Sequence, residues 1–155
     1  MNELVYRNLS EDAKRQICAW KYGGEYDLYN LPAYEEMQVR QIGFMNPQRE
    51  KNYYGFWEES ILVGFVNILE EKEEVFIGIG VNPDLCNKHY GQRMLLITYE
   101  ISKKLYPNKP LYLEVRTWNI RAVKCYQKAG FRIDGQAYEL TTGIGTGTFY
   151  RMIRE

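Results

Sequence analysis

The chain has 155 residues, 45% of them hydrophobic, and balances 20 Lys+Arg against 20 Asp+Glu. That length suits one domain with a real core, and the apolar content excludes a disordered chain. Zero net charge without a basic stripe argues against a nucleic-acid partner. No apolar run approaches the roughly 18 residues of a membrane span, and residues 1–10 lack the basic-then-apolar order of a secretion signal.

Residues 5–9 read as a short opening strand. Ser10 followed by Glu11 and Asp12 has the pattern of a helix cap with acidic residues at the positive end of the helix dipole. Ala13, Ile17 and Trp20 continue at helical spacing, and Gly23 with Gly24 is expected to stop that helix. Aromatics crowd residues 22–34. A second helix is expected after Pro32, carrying Met37, Ile42 and Phe44 or Met45. Residues 52–58, 61–69 and Val75–Val81 read as three strands of an antiparallel meander. Glu59 with Ser60 marks the first turn. The acidic run 70–74 marks the second and reads as a solvated turn rather than a metal site.

Asn82, Pro83 and Asp84 break this pattern. Met94, Ile97, Ile101 and Leu105 then repeat at helical intervals until Pro107. Residues 111–115 form a strand. Residues 119–129 form a helix with Ala122, Val123, Tyr126 and Ala129 on one face, and 131–138 and 148–153 are the last strands. Strand, helix, strand over 75–116 suggests a parallel crossover inside an otherwise antiparallel sheet. The glycine-rich stretch 142–147 lacks the Lys-Ser/Thr end of a nucleotide loop and opens no helix, so it reads as a hairpin turn.

Cys18, Cys86 and Cys125 are widely spaced and form no CxxC pair, which fits reduced thiols in a cytoplasmic protein. A Cys–His nucleophile would need His89, the one histidine, and nothing in the sequence brings it to a cysteine.

Three segments carry chemistry. Gly78 and Gly80 interrupt the apolar strand Val75–Val81; such glycines mark tight packing or the close approach of another backbone. Residues 87–93 open an amphipathic helix whose N-terminus is a ready anion site. There Gly91 permits close approach, and Lys88, His89 and Arg93 add charge or donors. Residues 113–131 end a strand and build a helix that Asn119 caps and Gly130 stops.

The third segment, Leu113-x-Val115-x-x-x-Asn119-x-x-Ala122-x-x-x-Tyr126-x-x-x-Gly130-Phe131, resembles motif B of the GCN5-related N-acetyltransferases at every defining position. Residues 81–96 resemble that family's motif A. Lys88 stands where Arg or Gln is usual, Gly91 matches, and Arg93 stands where a small residue is usual.

The resemblance implies a mixed α/β (α+β) fold in one N-acetyltransferase domain over residues 1–155, with a central twisted mixed sheet of about six to seven strands flanked by about four helices. It implies an enzyme that moves an acetyl group from acetyl-CoA to a primary amine by direct attack in a ternary complex, with no metal. The pyrophosphate would rest on amides of Lys88, His89, Tyr90, Gly91, Gln92, Arg93 and Met94. The pantetheine arm would pair with Ile79 and Val81, and the thioester would lie where the strands 75–81 and 111–116 splay apart. Tyr126 would be the general acid and Asn119 a positioning residue near the cofactor. Glu74, Glu58 and Glu139 are candidates for the base, and a water chain could also serve. Residues 20–35 and 139–147 would hold the acceptor, a small-molecule or peptide amine. Homodimers are common in the family. The imperfect motif A keeps open a coenzyme-A-binding module or sensor without transferase activity, and a third reading is an interaction domain that binds no coenzyme A.

Overall fold

The computed structural model describes residues 2–155, which fall into two compact units, one over 2–67 and 79–90 and the other over 68–78 and 91–155. Among the described residues are four α-helices and eight strands of a mixed sheet, in the order β1-β2-β3-β4-β5-β8-β6 with β7 paired to β8.

In the first unit, β1 (Leu4–Asn8) and β2 (Tyr53–Glu58) pair antiparallel, and β2 pairs antiparallel with β3 (Ile61–Glu70). Helix α1 (Glu11–Ala19) starts where Ser10 accepts the Ala13 amide. It ends earlier than its glycines suggest: Trp20 turns extended, and Gly24 opens a separate 3₁₀ turn, Gly24–Tyr29. Helix α2 (Tyr34–Arg40) stops at Gln41, whose φ of 52° is left-handed, so Phe44 and Met45 lie in a second 3₁₀ turn rather than on the helix. Ala13, Ile17, Met37, Phe44, Trp57 and Leu62 centre this core. Trp20 packs against it, with its ring 6.3 Å from that of Phe65.

In the second unit, β4 (Val75–Val81), which ends in the first, pairs parallel with β5 (Leu111–Arg116) through Val75↔Leu111 and Phe76↔Tyr112. The connection is α3 (Tyr90–Leu105), as the crossover pattern requires. Helix α4 (Ile120–Lys128) follows β5. β8 (Gly145–Arg154) pairs antiparallel with β5, and also with β6 (Arg132–Ile133) and β7 (Tyr138–Thr142).

The single strand expected over 131–138 is therefore two. Ile133 pairs with Met152 and Tyr138 with Phe149. Residues 134–137 thus lie opposite only 150 and 151, and the excess chain loops out at Gly135, whose φ is +78°. The run 142–147 closes the β7–β8 hairpin, as its composition suggests.

Candidate functional site

β4 leads into the segment that resembles motif A. Gly80 has a packing reason: a Cβ there would fall 2.4 Å from the Phe65 ring. Val81 and Ile79 are half-buried. The Val81 carbonyl accepts the Tyr22 hydroxyl at 2.7 Å, which ties the aromatic stretch after α1 to the end of the strand. Asn82 then pins the turn three ways. Its amide donates to the Val63 carbonyl at 2.9 Å, its side chain donates to Leu62 O at 3.1 Å, and it accepts the Asp84 amide at 3.0 Å.

The loop runs through Asn87 and His89, both left-handed, with φ of 65° and 68°. Non-glycine residues held there cost energy and cluster at functional sites. Lys88 and His89 are exposed. Tyr90 opens α3, and its hydroxyl donates to Glu58 Oε1 at 2.5 Å, so this candidate base is already held by a neighbour.

Within α3, Gly91 is buried, Gln92 and Arg93 are half-buried, and Met94 is fully buried in the core. Met94 therefore offers a backbone amide to a ligand, not a side chain. The helix runs 16 residues, long enough for a developed dipole with its positive end at the loop. Thr98 and Ser102 face inward from it.

In the second unit, Asn119 is buried, 7% exposed, and its side chain accepts the Ala122 amide at 3.3 Å, the cap expected at the start of α4. Tyr126 lies about two turns on, half-buried on the α4 face that carries Val123 and Ala129. Gly130 has φ +98° and stops the helix, and a Cβ there would meet Arg154 at 2.9 Å.

The other candidate bases differ in their surroundings. Glu74 holds Arg151 through two hydrogen bonds, at 2.5 and 3.1 Å, and is committed to that pair. Glu139 is exposed on β7. The sheet face that carries Arg151, opposite to that of Glu139, also carries Tyr112, bonded to Glu71 at 2.7 Å, and Tyr138, bonded to Glu114 at 2.5 Å. Burial first, then the carboxylate partner, lifts both phenols above the usual tyrosine range. Arg116 ends β5 almost wholly buried, over the Phe149 ring.

Sequence reading did not single out Tyr22 as a partner of Val81, nor Arg116. The first is an aromatic among many. The second becomes notable only through β8, about thirty residues later in the chain.

The model of the acetyltransferase (GNAT) family matches residues 10–131, and the chain belongs to that family. No curated protein matches it. Among solved structures it is similar to the acetyltransferase (GNAT family) from Bacillus anthracis, at 17% identity over 99% of this chain and 95% of that one, with a TM-score of 0.79. It is similar to a GNAT-family acetyltransferase from Streptococcus pneumoniae, at 23% identity over 98% of each, TM-score 0.69. It is also similar to the spermidine N-acetyltransferase from Vibrio cholerae in complex with CoA and spermine, at 16% identity over 97% and 94%, TM-score 0.76. These likenesses establish the fold. Among the described residues no helix is long and apolar enough to cross a membrane.

Proposed function

We propose that residues 1–155 act as one cytoplasmic N-acetyltransferase domain that moves the acetyl group of acetyl-CoA onto the primary amine of a small molecule or peptide. The observation that carries this reading is the loop into α3: two left-handed residues, Asn87 and His89, deliver the chain to a long helix whose first turn holds a buried glycine. Family membership over residues 10–131 supports it. The V. cholerae spermidine N-acetyltransferase, with CoA and spermine bound, supports coenzyme A and a small amine as the ligand pair.

The residues suit the cosubstrate. The amides of residues 88–94 and the charges of Lys88, His89 and Arg93 would hold the pyrophosphate, the strand edge at Ile79 and Val81 would align the pantetheine arm, and Gly91 leaves room for a phosphate. Coenzyme A supplies the activated thioester. Tyr126 is the general acid of this reading and returns a proton to the sulfur as the C–S bond breaks. Asn119 fixes the start of the helix that carries Tyr126. Glu74 is paired to Arg151 and Glu58 accepts the Tyr90 hydroxyl, so Glu58, the exposed Glu139 or a water takes the proton from the attacking amine. Rate comes mainly from holding amine and thioester side by side.

Titration calorimetry with acetyl-CoA tests the reading. Micromolar binding is expected, followed by release of free coenzyme A with an amine acceptor. Binding without any turnover across amines would make the protein a coenzyme-A sensor, and no binding to millimolar would remove the transferase reading. Gly91→Glu places bulk and negative charge at the phosphates and should weaken binding at least about 100-fold.

A further inference from the structure

Arg116 is only 8% exposed. Its guanidinium lies over the ring of Phe149, 4.8 Å from the centroid, and Phe149 is its direct partner across the β5–β8 ladder. Gly147 makes this posture possible: a Cβ there would fall 2.0 Å from a terminal nitrogen of Arg116 and 3.0 Å from its central guanidinium carbon. Among the described residues, no carboxylate pairs with this guanidinium and no acceptor meets its side-chain N–H groups. Glu114, two residues back on the same face, takes the Tyr138 hydroxyl at 2.5 Å instead. Arg151, opposite Glu114, is saturated by Glu74 and Asp134. The two arginines are thus treated differently within one sheet. One is neutralised, and the other, in a residue that is almost wholly buried, keeps its five donors at the solvent margin with only a ring face beside them and no protein acceptor.

A charge so confined is partly desolvated while its donors stay within reach of a ligand, and an opposite charge would complete it. A ring face offsets part of the loss but leaves the in-plane N–H groups unused. Their planar fork matches a carboxylate, which it can grip through two parallel bonds. We propose that Arg116 is the subsite for a carboxylate on the acceptor, so that the amine acetylated belongs to an amino acid or a similar small zwitterion rather than to a bare polyamine. This rests on the acetyl-transfer reading. A phosphate of coenzyme A is the other oxyanion within that chemistry, but the reading already gives the phosphates their own amides and cations at residues 88–94.

The test compares amino acids with the amines they give on decarboxylation: lysine with cadaverine, ornithine with putrescine, tyrosine with tyramine. Acetyl transfer and calorimetric binding, with and without coenzyme A, are measured on the full chain. At least one amino acid is expected to exceed its amine by roughly 100-fold in kcat/KM, as a bidentate charged pair requires. Arg116→Gln should collapse that ratio through the acceptor KM and leave the coenzyme A Kd within about twofold, and Arg116→Lys should recover part of it. Gly147→Ala keeps the charge but displaces the guanidinium, and should collapse the ratio as well.

The proposal is overturned if no amino acid is preferred over its amine. It is also overturned if Arg116→Gln instead raises the coenzyme A Kd with the ratio intact, which assigns the residue to a phosphate. A lowered melting temperature with both quantities unchanged overturns it in favour of packing alone. Amino-acid binding that Arg116→Gln abolishes sustains the subsite even where acetyl-CoA does not bind, so the two readings fail separately.

Discussion

The ring of Phe65 lies where a side chain at position 80 would begin, 2.4 Å from the site of a Cβ. Gly80→Ala should therefore cost about 1–3 kcal/mol, since the crowding is against a packed ring in a strand. Urea unfolding measures it, and Phe65→Leu in the same background should restore part of the loss if the ring is the cause. Tyr126 makes a different kind of prediction. Tyr126→Phe removes one hydroxyl from a half-buried position on α4. It should lower kcat about 100-fold or more while the acetyl-CoA Kd stays within about twofold. Unchanged turnover would take Tyr126 out of the acid role and leave it as a packed aromatic.

Helix α1 shows what a local pattern conveys. Ser10, Glu11 and Asp12 announce its start because the cap and the amide it serves are three residues apart. The same segment holds an acid-sensitive cluster. Lys14 is 2% exposed at its side chain and bonds Glu50 at 2.6 Å and Glu11 at 3.2 Å. Burial pulls its ammonium down, but the two carboxylates outweigh burial and the net shift is upward. The Glu11 carboxyl is held below the usual carboxylate range, first by the Tyr34 hydroxyl and then by Lys14. The folded state thus binds that proton less tightly than the unfolded chain does. Its stabilisation is present above the ordinary value of 4.5 and is lost as pH falls through the lower folded value. Melting temperatures followed through the acid range should drop less steeply for Glu11→Gln than for the wild type. Element stops were harder to read than starts. Gln41 takes a left-handed conformation without being glycine. The break at 134–137 depends on how many residues β8 offers opposite it. The motif of residues 113–131 was legible because its spacing is one strand, one cap and one helix. The guanidinium of Arg116 was not, since its surroundings come from β8.

At the scale of the whole molecule, β8 stands out by its partners. It pairs with β5 along one side and with β7 and then β6 along the other. Met152 is fully buried between Leu113 and Ile133. Met152→Ala should cost about 2–4 kcal/mol, and amide exchange should be slowest along residues 149–153, where the strand is paired on both sides or close to it. Chemical denaturation and native-state exchange check the two together.

The position of β8 in the chain also bears on how the protein comes to be folded. Strands β5, β6 and β7 all leave the ribosome before the strand they share. Until β8 arrives, β5 carries an open apolar edge next to β4, and β6 with its two residues has nothing to lie against. Long-range pairing of this kind is slow, and waiting edges are open to other chains. Synthesis therefore passes through a vulnerable interval, closed by the arrival of a single strand. Yield at elevated temperature should depend on chaperone supply more than the stability of the finished protein would suggest.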